Sequence, residues 1–146
     1  DGGELTGTFH SAIYVGGVRM NNVDIYAIRE NEVFLSYVET GFGSHQFISR
    51  PIILKIPQKG IKAKWDASDE RHKGEEKIIS TSEYVPILKT ALDTFQNVIK
   101  VTKITNSSKK SWTEVKYYAK GIGMIRYEVG GGKDKAIIDL VKVEKN

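Results

Sequence analysis

The run Trp112-Thr-Glu-Val-Lys-Tyr-Tyr-Ala-Lys-Gly-Ile-Gly-Met-Ile-Arg-Tyr-Glu-Val129 decides how this chain is read. Aromatic and β-branched residues fill both arms, and such side chains suit a pleated, half-buried surface. Lys120-Gly121-Ile122-Gly123 separates the arms. Glycine supplies the backbone freedom that a turn or bulge needs. The run therefore reads as two strands that meet at Gly121 and Gly123.

Working outward, Gly130-Gly131-Gly132-Lys133-Asp134 reads as a flexible hairpin loop, and Ala136 to Val143 as a last strand. On the other side, Asn106-Ser107-Ser108-Lys109-Lys110 reads as a turn. The segment Ile78–Thr105 admits two readings. Tyr84, Leu88, Ala91, Leu92, Phe95, Val98 and Ile99 recur at helical spacing. Against a helix, Pro86 would sit inside it, and Val98-Ile99-Lys100-Val101-Thr102 is strongly β-branched. Helix and strand both stay open for 84–100. We favour two strands, near 77–90 and 96–105, with one short helical turn allowed near 92–95.

Farther upstream, Phe9 to Val15 has strand composition and ends at Gly16-Gly17. Val18 to Arg29 and Val33 to Thr40 alternate and form a hairpin across Glu30-Asn31-Glu32. Pro51 and Pro57 bracket the apolar Ile52-Ile53-Leu54-Lys55-Ile56, as prolines at strand boundaries do. Ile61 to Asp66 alternates Ile61, Ala63 and Trp65 with Lys62 and Lys64. Residues 66–77 lack periodicity and form the longest loop candidate, and 1–7 are expected to fray. The pattern is about nine or ten short strands with turn signals roughly every 8–12 residues. That defines an all-β fold: an antiparallel curved sheet, a sandwich or an open barrel.

The 146 residues fit a single domain, 1–146, able to bury its own core. No apolar run approaches the ~20 residues that span a bilayer as a helix. The chain has no Cys, which excludes disulfides, thiol nucleophiles and Cys-ligated metals. The net charge is +4, but the lysines are scattered singly, as in Lys55, Lys59, Lys62, Lys64, Lys100 and Lys103, and the only adjacent pair, Lys109-Lys110, lies in the Ser-rich turn. That spacing suits solubility and strand-edge protection better than a polyanion surface, so no nucleic-acid partner is expected.

One internal similarity stands out. Tyr37 to Phe47 and Tyr117 to Tyr127 share the pattern Tyr-x-x-x-Gly-apolar-Gly-x-x-x-aromatic, offset by 80 residues. The shared need would be a sharp bend at Gly41 and Gly43, and again at Gly121 and Gly123, that curves a sheet. The flanking aromatics would pack across each bend.

Tyr117-Tyr118-Ala119-Lys120-Gly121-Ile122-Gly123-Met124-Ile125 resembles a closing signature of poorly characterised bacterial secreted and envelope β-domains, Tyr-Ala-x-Gly-Val-Gly-apolar-Val. In those domains a segment like Val-Pro-x-Gly-Thr-Phe-x-Asn-Val-Ile-x-Val precedes it. This chain has Val85-Pro86, then Thr94-Phe95-Gln96-Asn97-Val98-Ile99-Lys100-Val101. It departs by the residues inserted after Pro86 and by Asp93 in place of Gly. Pro51 to Trp65 is similar to the strand-Gly-Trp stretch upstream in that family. The resemblance covers about residues 51–129. It implies an antiparallel β fold and an extracytoplasmic, often lipid-anchored setting, with any anchoring segment removed. It implies no activity.

Chemistry-bearing residues are sparse. His10, His45 and His72 form no metal-ligand pair in sequence. Gly41-Phe42-Gly43-Ser44-His45 lacks the G-x-S-x-G of a nucleophile elbow. Asp66-Ala67-Ser68-Asp69-Glu70 lacks the Gly and terminal Glu of a calcium loop and reads as solvated acid. Glu30 and Glu32 flank Asn31 in a short polar turn and are not read as paired catalytic carboxylates. Gly121-x-Gly123 and Gly130-Gly131-Gly132 open no helix and cradle no phosphate.

The aromatics Trp65, Trp112, Tyr117 and Tyr127 remain as candidate ligand-binding residues. They could line a concave face for an apolar molecule. The expectation is thus a non-catalytic β-domain with a structural or binding role, secreted or at the cell envelope. Its alternative is a carrier of a lipid or other apolar ligand. No cofactor, metal or catalytic residue is expected. A partner would be an apolar small molecule or another envelope protein.

Overall fold

The computed structural model describes residues 5–15, 18–72, 74, 76–131 and 133–143. Gly16, Gly17 and Gly132, where turns were expected, lie outside them. The described residues form eleven strands and no helix. The expected count was nine or ten. The added strand is Gly43–Gln46, whose glycine, serine, histidine and glutamine carry no strand signal. All pairing is antiparallel, in two sheets, and neither closes into a barrel. Among the described residues no helix is long and apolar enough to cross a membrane.

The contacts gather into two compact units: Asp1–Lys55 with Ser68–His72, and Ile56–Ala67 with Lys73–Asn146. The first holds β1 (Leu5–Val15), β2 (Val18–Arg29), β3 (Glu32–Thr40), β4 (Gly43–Gln46) and β5 (Ile52–Lys55). Leu5 to Gly7, expected to fray, pair with Ile28 to Tyr26. The order is β1-β2-β3, and β3 lends its far edge to β4 and β5 in turn. The β2–β3 register shifts between Ile25 and Tyr26. Ser36 is the extra residue, so the strict alternation expected along Val33–Thr40 breaks there. Ala27, Phe47 and Leu54 are the buried apolar residues of this unit among those whose burial is described.

The second unit is a meander of β6 (Ala63–Asp66), β7 (Lys77–Lys89), β8 (Thr94–Asn106), β9 (Ser111–Ala119), β10 (Gly123–Gly131) and β11 (Asp134–Asp139). Each strand pairs with its sequence neighbour, because short turns bring consecutive strands together. Residues 84–89 and 94–100 are strand. The helical turn allowed near 92–95 is absent. Thr90 closes a tight turn instead: its amide donates to the Asp93 carbonyl at 2.9 Å. Its hydroxyl oxygen accepts the Leu92 and Asp93 amides, both at 3.3 Å.

Val98, Tyr117, Ala119 and Ile125 form the buried centre of one sheet face. Val85, Leu88, Phe95, Val115, Ile122 and Leu140 pack against them. Val98 and Ile125 are fully buried, and each such side chain contributes about 1.5–3 kcal/mol. Trp65, Ile78 and Val101 are buried on the opposite face, as the registers through Ser80 and Ser82 require. Gly130 and Gly131 do not loop out. They extend β10 and pair with Lys135 and Asp134. A Cβ at Gly130 would run into the Asp134 carbonyl oxygen.

Candidate functional site

The densest polar cluster forms where β3's far edge passes from β4 to β5. The Phe47 amide donates to the Ser36 carbonyl at 2.9 Å, and the Leu35 amide to the Pro51 carbonyl at 3.0 Å. Ile48, Ser49 and Arg50 therefore leave the ladder together. Arg50 takes a positive φ of 47°, and Ile48 is 89% exposed. Their freed amides need acceptors.

Glu70 provides them. Its carboxylate accepts the Ile48 amide at 2.8 Å and the Ser49 amide at 3.3 Å. The Ser49 hydroxyl donates to the same group, and His45 Nε2 lies 3.1 Å from it. The Ser49 hydroxyl above all, with the backbone donors and His45, holds the Glu70 carboxyl well below the usual carboxylate range.

Asp69 beside it is buried. Arg71 grips it with Nε at 2.9 Å and a terminal nitrogen at 2.7 Å, the bidentate match of guanidinium to carboxylate. Burial pushes the Asp69 carboxyl up, but Arg71 outweighs it and the net shift is down. The Arg71 guanidinium also lies over the Phe47 ring, 4.5 Å from its centroid. His45 meets the same ring edge-on at 4.6 Å. The Asp69 amide donates to His72 Nδ1 at 3.2 Å.

Ser, His and Glu thus meet, but in the wrong order for nucleophilic catalysis. A serine nucleophile needs an imidazole as its base, with the carboxylate behind the imidazole. Here the carboxylate stands between Ser49 and His45 and is bound to both. Asp69 and Glu70 stay ionised at neutral pH, so neither is a general acid there. No three His, Cys, Asp or Glu side chains gather as a metal site among the described residues. The cluster fastens an extruded loop. The solvated acidic loop expected at 66–70 is thereby corrected: Asp69 is buried and Glu70 is bonded to chain 21–25 residues away. No local pattern marks such contacts.

Of the four expected ligand-binding aromatics, Trp65, Trp112 and Tyr127 share one face of the second sheet and Tyr117 faces the other way. Trp65 on β6 is buried. Tyr117 on β9 belongs to the core cluster, and its hydroxyl is pushed up by burial and the nearby Glu128. Tyr117 pairs with Arg126 and Tyr127 with Lys116, so the two tyrosines point to opposite faces. The Tyr127 hydroxyl donates to Glu114 at 2.6 Å. Burial and that carboxylate push Tyr127 well above the ordinary tyrosine range. Trp112 borders a shallow open depression of about 300 Å³ with Glu76, Thr105, Ser107 and Lys110. Lys110 already covers the indole, its Nζ 4.7 Å from the ring centroid. His10 lies on β1, and its side chain is outside the described set.

The glycine pairs are hairpin turns, not bends within a strand. Thr40 pairs with Gly43, so Gly41 and Phe42 form a two-residue loop. Ala119 pairs with Gly123 across a three-residue loop. Gly121 (φ 77°) and Gly123 (φ 101°) use backbone that side chains disfavour, as does Gly43 (φ 136°). The similarity of the two segments extends to register, since Tyr37 pairs with Gln46 as Tyr117 pairs with Arg126. The longer second loop is offset by an extra residue, Ile125, in β10. The flanking aromatics do not meet across either turn, because directly paired neighbours one step apart face opposite ways.

No protein-family model matches this chain, and neither the curated proteins nor the solved structures yield a match.

Proposed function

We propose that this chain is a non-catalytic β-domain with a structural or binding role, of the secreted or cell-envelope kind. One observation carries the non-catalytic part: Ser49, His45 and two backbone amides all spend their bonds on the Glu70 carboxylate. The polar cluster is consumed in holding the chain. Several of the singly placed lysines are likewise paired with carboxylates. Lys55 meets Glu32 at 2.7 Å, Lys62 meets Glu83 at 2.8 Å and Lys103 meets Glu114 at 3.0 Å. The extracytoplasmic setting rests on the resemblance of Tyr117–Ile125 to the closing signature of envelope domains.

Native mass spectrometry of the purified protein tests this reading, together with a panel of ester, peptide and phosphate-ester substrates. The bare chain mass and no turnover are expected. Hydrolysis that Ser49→Ala abolishes would overturn the proposal, and so would a retained metal. A retained lipid would favour a carrier instead. Fractionation of the source cells with an antibody to the chain tests the location. Recovery from the cytosol would sink that part.

A further inference from the structure

We propose that β11 is a self-recognition edge, on which two copies of this chain pair antiparallel about Ile137. The strand ends the six-stranded sheet and has no partner beyond it among the described residues. Asp134 to Ile138 are all exposed. Ile137 is 55% and Ile138 41% exposed. An unpaired edge presents a row of open amides and carbonyls, and natural sheets guard such edges with charge.

The outward groups can be identified. The Leu140 amide donates inward to the Ile125 carbonyl at 2.9 Å, continuing the register in which Asp139 pairs with Arg126. In an antiparallel ladder, successive residues point their backbone groups to opposite sides. Ala136, Ile138 and Leu140 therefore bond inward. Lys135, Ile137 and Asp139 present theirs to the outside.

Only a register that joins odd residues to odd residues brings those outer groups together. The centred one sets Ile137 against the second copy's Ile137 and Lys135 against the second copy's Asp139, twice by symmetry. Ala136 then meets the second copy's Ile138. Slipping by two residues puts Lys135 opposite Ile137 or Val141 and forfeits the charge match. Slipping by one turns inward-bonded groups to the seam.

The charges on this face reinforce the choice. Lys135 Nζ lies 2.6 Å from Glu128, and Arg126 bonds Asp139 at 2.5 and 2.9 Å. Across the seam they form a row of Glu128, Lys135, the second copy's Asp139 and its Arg126, with signs alternating throughout. A lone edge lysine repels strand pairing. Here an aspartate four residues away cancels that protection in one register, and charge complementarity sets register and partner. The interface is isologous, as a two-fold dimer requires.

The test uses the full chain, which has no Cys of its own. Sedimentation velocity over a concentration series should show a reversible dimer. Lys135→Glu, at a side chain 55% exposed, should keep the circular dichroism spectrum and weaken the dimer at least about tenfold. Ile137→Cys should form a disulfide dimer on mild oxidation, since opposed residues in a bonded pair stand about 5.5 Å apart between Cα atoms. Ile138→Cys, opposite Ala136, should crosslink far more slowly. A wild-type chain that stays monomeric throughout would overturn the proposal. Equal crosslinking at the two positions, or a dimer indifferent to Lys135→Glu, would also overturn it.

Discussion

Pro86 and Asn97 stand opposite each other in the β7–β8 ladder, and between Lys77↔Asn106 and Lys89↔Thr94 theirs is the one position where no pair forms. Proline has no amide to give, and Asn97 takes a positive φ of 51°. The inward face changes there. Val85 and Leu88, three apart, join the same core cluster, as do Phe95 and Val98. Asparagine tolerates left-handed backbone better than most residues, and the cost for a β-branched one is about 1–2 kcal/mol. Asn97→Val should lower stability by about that amount, while Asn97→Gly stays near wild type. Urea unfolding midpoints of the two variants check this.

Glu70 should make the first unit acid-sensitive. Its folded pKa is depressed from an ordinary 4.5. A depressed carboxyl contributes stability that is complete above its unfolded pKa and is lost as pH falls toward its folded pKa. Glu70→Gln should therefore be less stable than wild type near neutrality, and the gap should narrow as the pH falls below about 4.5. Unfolding midpoints measured down the acid range give the difference curve. Hydrogen exchange should also quicken at Ile48 and Ser49 in the variant. A constant gap across pH would exclude this role for Glu70.

Tyr127 and Glu114 form a bonded pair on β10 and β9. Burial pushes the Glu114 carboxyl up, but the Tyr127 hydroxyl and Lys103 bring it below its ordinary value. Tyr127→Phe removes the donor and leaves a half-buried carboxylate short of a partner, at a cost of about 1–3 kcal/mol. The raised Tyr127 pKa has its own sign. It contributes stability below the ordinary tyrosine value, which is lost as pH rises toward the folded one. Ultraviolet titration should show one fewer late-ionising tyrosine in Tyr127→Phe.

Two glycines should fail for different reasons. At Gly121 a Cβ meets nothing within 4 Å, so only the φ of 77° opposes a side chain. Gly121→Val should cost about 1–2 kcal/mol, and Gly121→Asn less. Gly130→Ala meets the Asp134 carbonyl instead and should loosen the β10–β11 hairpin. Thermal unfolding ranks the variants. Amide exchange in Asp134–Asp139 should respond to Gly130→Ala and not to Gly121→Val.

The sequence by itself determined the class of fold and most strand positions. The stretch Val18–Arg29 was legible as holding a strand, because alternation and turn chemistry are local properties that reach a few residues. The segment 84–100 stayed open for a physical reason. The irregularity at Pro86 and Asn97 sets apolar residues three apart, as a helix would. Tertiary structure alone decided the site. Glu70 joins a loop 21–25 residues away, and Tyr117 parts from Tyr127 through a register that depends on one extra residue, Ile125. Such pairings follow from which backbone groups the ladder leaves unbonded, and no spacing in the chain encodes them.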